Sequence, residues 1–115
     1  MHQKICLLFA LIEFEQYGVE YMSHMVHCSN YLGKKLKEKG FEIGEINGHI
    51  SQTHEIFMYT SKEMMDTIYD NAYKCRVTLN KKHKPLFHDY GIRLGTQELA
   101  RYNWNDDALD KIADI

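Results

Sequence analysis

Gly91-Ile92-Arg93-Leu94-Gly95-Thr96 sets an arginine between two glycines, inside an alternation of Ile92 and Leu94 that ends at a helix-starting threonine. Such alternation predicts a strand that delivers one guanidinium to a site. Arginine presents a planar fork of donors that matches a carboxylate or a phosphate, and flanking glycines let a ligand or another backbone come close. On these six residues alone the competing reading is an edge-strand arginine paired to a surface acid.

Other residues also have the types and spacing for chemistry. His24, His27 and Cys28 fall on one side of a helix, a pattern that can bind a transition metal. Met25 and Val26 lie between them on the expected core face and no fourth ligand is evident, so the group is expected to be structural. The segment from Asn80 to Tyr90 is basic and aromatic and stands directly before the arginine strand, either bordering a site or serving as a solvated connection. His54 precedes a strand, where backbone usually satisfies the ring. Tyr102 and Trp104 are expected to pack between domains, and Lys81 to follow a strand end.

The elements that must position these groups follow from periodicity. Ile5, Leu8, Phe9 and Ile12 recur at helical spacing; after a break near Gly18 the pattern resumes with Met22, Met25, Val26, Leu32 and Leu36, and Gly40 stops the helix. Phe41 to Ile46 reads as a short strand and Asn47-Gly48 as a turn. Ile56 to Tyr59 is a compact apolar run, expected of a strand covered on both faces or nearly so. Thr60 with Glu63 forms a capping box for a helix bearing Met64, Met65, Ile68 and Ala72 on one face. Val77 and Leu79 begin another strand. Thr96 is expected to cap a short helix, and Asn105, Asp106 and Asp107 to start a last one with Leu109, Ile112 and Ala113 on its apolar face. The order predicts an α+β two-layer domain: a short, mainly antiparallel sheet of three to four strands with helices on one face, after a long N-terminal helical segment.

Gly91 to Leu99 (GIRLGTQEL) resembles the C-terminal domain of serine hydroxymethyltransferase and its relatives among the fold-type-I pyridoxal-phosphate enzymes. Three blocks agree in order: Met1 to Gly40 with the interdomain helix and the small domain's first helix, His54 to Tyr59 (HEIFMY) with the first long strand, and Val77 to Lys81 (VTLNK) with a later strand end. The resemblance implies one C-terminal small domain over 1–115, with 1–17 as interdomain helix and 18–115 as the α/β body. It implies pyridoxal phosphate in the full-length enzyme, held by a Schiff-base lysine in a large domain, and none on this chain alone. Lys81 is therefore not assigned that role, no catalytic residue is assigned, and Arg93 is the substrate-binding residue, directed at an amino acid's α-carboxylate. Hydroxymethyl transfer, aldol cleavage and transamination stay open; Gln97 stands where serine hydroxymethyltransferases commonly have proline. The alternative is a stand-alone interaction or regulatory domain that assembles with a complete enzyme.

Composition narrows the partners. At 115 residues, with a formal charge of −2 and a pI near 6.4, the chain has no general field for nucleic acid or an anionic membrane. Lys34, Lys35, Lys37 and Lys39 gather where a helix C-terminus favours positive charge. Cys6, Cys28 and Cys75 are odd in number without C-x-x-C spacing, which speaks against a disulfide framework or zinc ribbon and fits a cytoplasmic protein. The run from Cys6 to Ile12 is too short to span a membrane and lacks a cleavage site, so it reads as a buried helix face. Apolar periodicity is already under way at Met1 with no capping residue ahead of it, which suggests the last part of a longer protein. The expected partners are an amino-acid substrate, the large cofactor-binding domain and a second copy in a homo-oligomer.

Overall fold

The computed structural model describes residues 1–85 and 89–115. Helix α1 (His2–Glu38) is followed by β1 (Glu42–Ile43), β2 (Glu55–Tyr59), α2 (Lys62–Lys74), β3 (Asn80–Lys82), β4 (Gly91–Gly95), α3 (Gln97–Arg101) and α4 (Asp106–Asp114). The strands form one antiparallel sheet in the order β1-β2-β4-β3, so the arginine strand is internal and hydrogen-bonded on both sides. This is the α+β two-layer arrangement that the sequence predicts.

The core lies between one face of the sheet and the helices. Ile43, Ile56, Met58 and Ile92 meet Leu32 and Leu36 of α1, Met65 of α2 and Ala113 of α4. A second cluster joins Met25 and Cys28 of α1 to Ala100 of α3 and Leu109 of α4. Ile56, Ile92 and Leu109 are completely buried, and removing the side chain of any one forfeits about 2–5 kcal/mol in transfer and cavity terms.

Helix α1 runs through Gly18 without the expected break. It ends in a Schellman motif: Gly40 takes φ +95°, its N–H donates to the Lys37 carbonyl, and Phe41 N–H reaches the Leu36 carbonyl. Asn47 and Gly48, both at positive φ, turn a hairpin in which Ile46 and His49 exchange hydrogen bonds. Of the strand expected over Phe41 to Ile46, Glu42 and Ile43 pair with β2, and Gly44 N–H adds one bond to the Phe57 carbonyl.

Several other expectations are corrected. Burial along β2 alternates, with Ile56 and Met58 inside and Phe57 and Tyr59 half-exposed, so the strand is covered on one face rather than both. The cap of α2 is Ser61, not Thr60: its hydroxyl accepts from Met64 N–H, while Thr60 N–H donates across to the Tyr90 carbonyl. Met64 faces solvent. Val77 does not begin a strand because it closes α2, its N–H donating to the Ala72 carbonyl behind Arg76 at φ +62°. Pairing starts only at Asn80. Asn105 caps α4 as expected, accepting from Ala108 N–H. The run from Cys6 to Ile12 is exposed throughout, as is all of α1 before Gly18, so it is not a buried face of this body.

Candidate functional site

Arg93 projects from the sheet face opposite the helical core. Strand alternation puts Ile92 on the core side and Arg93 on the other. The β2–β4 register sets Phe57 directly across from Arg93, with Glu55 opposite Gly95. Glu55, Phe57 and Arg93 therefore share the outer face. Arg93 Nη1 lies 3.0 Å from Glu55 Oε1, and the two side chains keep 39% and 27% of their exposure, enough burial to hold the pair and enough access for a ligand. His54 Nε2 stands 3.8 Å from the same carboxylate oxygen.

The flanking glycines differ. Gly91 is buried, whereas Gly95 is open to solvent. A Cβ at Gly95 would stand 2.5 Å from Gln97 Oε1, the end of an exposed, flexible side chain that could swing aside.

The strand ends around this site are tied to α1. Thr96 is fully buried and makes no side-chain cap; its hydroxyl lies 3.2 Å from the Met25 carbonyl and 3.2 Å from that of His54. On the other strand, Ser29 donates to the Thr53 carbonyl at 2.8 Å, and the Asn30 side-chain amide bonds Ser51 and Ile50. Thr53 Oγ1 then accepts from Glu55 N–H at 3.2 Å. Sequence reasoning did not single out Ser29, Asn30 or Glu55. The only signal for Glu55 was its parity with Phe57 and Tyr59, since the register that brings it to Arg93 depends on a partner strand far along the chain.

The other candidates are placed elsewhere. Lys81 is on the core side of β3, paired with Asp66 at 2.9 Å and lying 4.4 Å above the Tyr69 ring. The hydrogen bond from its ammonium to Asp66 holds its pKa above the ordinary lysine value. His24 Nε2 is 3.1 Å from the Trp104 carbonyl, His27 Nε2 is 2.7 Å from Asp106 Oδ1, and Cys28 Sγ is 3.6 Å from His24 Nε2. These contacts pin α1 to the start of α4, beside a cavity of about 370 Å³. Burial pushes the Cys28 thiol up, and among the described residues no group of three or more His, Cys, Asp or Glu side chains is arranged to hold a metal. Tyr102 and Trp104 are exposed. Of the basic, aromatic segment before β4, Asn80–Lys82 form β3, His83 stacks on Tyr90 with ring centroids 4.5 Å apart, and Leu86, Phe87 and His88 lie outside the described residues.

No protein-family model matches the chain. It is 31% identical to a serine hydroxymethyltransferase of Picrophilus torridus over 91% of its own length, and 28% identical over 98% to one of Pyrobaculum arsenaticum. The chain spans only 26% and 28% of those two curated relatives. Its fold is shared with the L-threonine transaldolase of Pseudomonas fluorescens, solved in an internal aldimine state, at a TM-score of 0.78 and 24% identity over 91% of this chain and 24% of that one. The chain resembles the small C-terminal domain of a fold-type-I pyridoxal-phosphate enzyme. A serine palmitoyltransferase of Sphingomonas wittichii shares the fold more distantly, with a TM-score of 0.63 over 80% of this chain and 22% of the other. Among the described residues no helix of this small domain is long and apolar enough to cross a membrane.

Proposed function

We propose that this chain is the small domain of a pyridoxal-phosphate-dependent enzyme acting on an amino acid, and that Arg93 binds the substrate's α-carboxylate. The observation that carries the reading is a single guanidinium on the open face of an internal strand, in a segment that resembles this family. Lys81 is engaged by Asp66 and is not assigned to the cofactor. A large domain holds it in this reading. When bound there, the cofactor serves as an electron sink for the amino acid's α-carbon.

What this chain contributes is orientation. Two parallel hydrogen bonds from Arg93 fix the carboxylate plane, and that sets which bond at the α-carbon is presented for cleavage. The body, residues 18–115, carries the arginine. Residues 1–17, exposed throughout, run along the large domain as the interdomain segment. The comparisons support this division of labour through the quarter of the relatives' length that the chain covers.

Substitution of Arg93 by lysine in the full-length, cofactor-loaded protein tests the reading. Lysine keeps the charge but loses the fork. Amino-acid binding and turnover are expected to weaken by about 2–4 kcal/mol, as for a desolvated charge-assisted contact. Cofactor retention and the thermal melt should stay unchanged. Normal kinetics would remove Arg93 from the site, and a lowered melt without selective loss of substrate affinity would make it a packing residue.

A second reading, favoured by the exposed apolar half of α1, is an interaction domain that assembles with a complete enzyme. It would use Ile5, Leu8, Phe9 and Ile12 as its contact surface.

A further inference from the structure

Arg93 is not alone on its face. Glu55 reaches it diagonally across the β2–β4 pair, a separation that only long side chains bridge. The position directly opposite Glu55 is Gly95, over which the Gln97 amide folds, and the Glu55 side chain still reaches Arg93. The Glu55 backbone is firmly seated: its N–H is held by Thr53, and the Thr53 carbonyl is held by Ser29 of α1. The acid therefore arrives from a rigid strand end and meets Arg93 through Nη1. A guanidinium has two edges with parallel N–H bonds. Contact at Nη1 leaves the Nε–Nη2 edge as the one suited to a second, bidentate carboxylate.

We propose that Glu55 is a positioning residue for the substrate: by taking Nη1 of Arg93 it fixes the guanidinium plane and turns the Nε–Nη2 edge toward the incoming amino-acid carboxylate. This rests on the assignment of Arg93 to the substrate carboxylate. An arginine side chain free to rotate must lose several rotamers on binding, whereas one already held by Glu55 loses few. Glu55 also makes the pair neutral. The site then selects a carboxylate by its geometry, with little attraction for anions in general.

The two roles of the acid, orienting and neutralising, are separable by substitution. Glu55→Ala removes both, while Glu55→Gln keeps a side-chain oxygen for Nη1 and removes only the charge. In the full-length, cofactor-loaded protein, Glu55→Ala is expected to raise KM for the amino acid about tenfold with kcat changed less than about threefold, the size of one charged hydrogen bond. Glu55→Gln should return KM to within about threefold of the parent protein. A KM for Glu55→Ala equal to or below that of the parent would show that Glu55 competes with the substrate or is idle, and would overturn the proposal. Equal damage from Gln and Ala would overturn it too, since charge and not orientation would then be at work. Arg93→Lys measured alongside separates the two levels. If that variant binds substrate normally, the Arg93 assignment itself has failed; if it is impaired while Glu55→Ala is not, only the role of Glu55 has.

Discussion

At the level of single residues, the site is built from side chains whose value lies in what fixes them. Arg93 has a partner in Glu55 and a ring, Phe57, across the strand from it, and in the proposed reading these hold its position before a ligand arrives. Thr96, directly after this strand, works in the opposite direction. Buried completely, it spends its hydroxyl on α1 and on the residue before β2 and gives nothing to the helix it starts. Thr96→Val keeps the shape and removes those contacts. It should lower unfolding stability by about 1 kcal/mol, read as a shifted denaturant midpoint at unchanged slope. A variant with an unmoved midpoint would mean that the hydroxyl contributes nothing net. Sequence could not place this threonine, because a threonine before a short helix reads as a cap until its long-range partners are known.

At the level of elements, what was legible is what local rules determine. The Schellman stop at Gly40, the turn at Asn47-Gly48 and the Asn105 cap of α4 each follow from a residue type at one place. Errors came where tertiary partners decide. Val77 looked like strand but closes α2, and the apolar run over β2 is covered on one face only. Glu55 was invisible as a site residue because register is a property of two strands. The N-terminal half of α1 shows the same limit. Ile5, Leu7, Leu8, Phe9, Leu11, Ile12 and Phe14 are all exposed, although their pattern reads as core. A helix that is apolar on every side belongs inside an assembly. The 115-residue chain is therefore expected to self-associate in sedimentation at high concentration, and Leu8→Glu with Ile12→Glu should return it to monomer. A clean monomer before any substitution would remove α1 as a contact surface.

At the level of the whole molecule, a sheet with helices on one side presents its other side as a working surface. The core is complete on the helical side, where the two clusters meet α1, and the outer face carries Glu55, Phe57 and Arg93 half-exposed. The apolar half of α1 continues beyond the body that the rest of the helix packs against. Those two open surfaces, one apolar and one bearing a paired guanidinium, are the ones that the proposed reading places against a larger domain. The most direct test is a crystal structure of the full-length, cofactor-loaded protein with glycine bound. The account expects the glycine carboxylate on the Nε and Nη2 atoms of Arg93, at roughly 2.7–2.9 Å each, with Glu55 still on Nη1. A glycine bound with its carboxylate on other residues, while Arg93 keeps Glu55 as its single acidic partner, would contradict it.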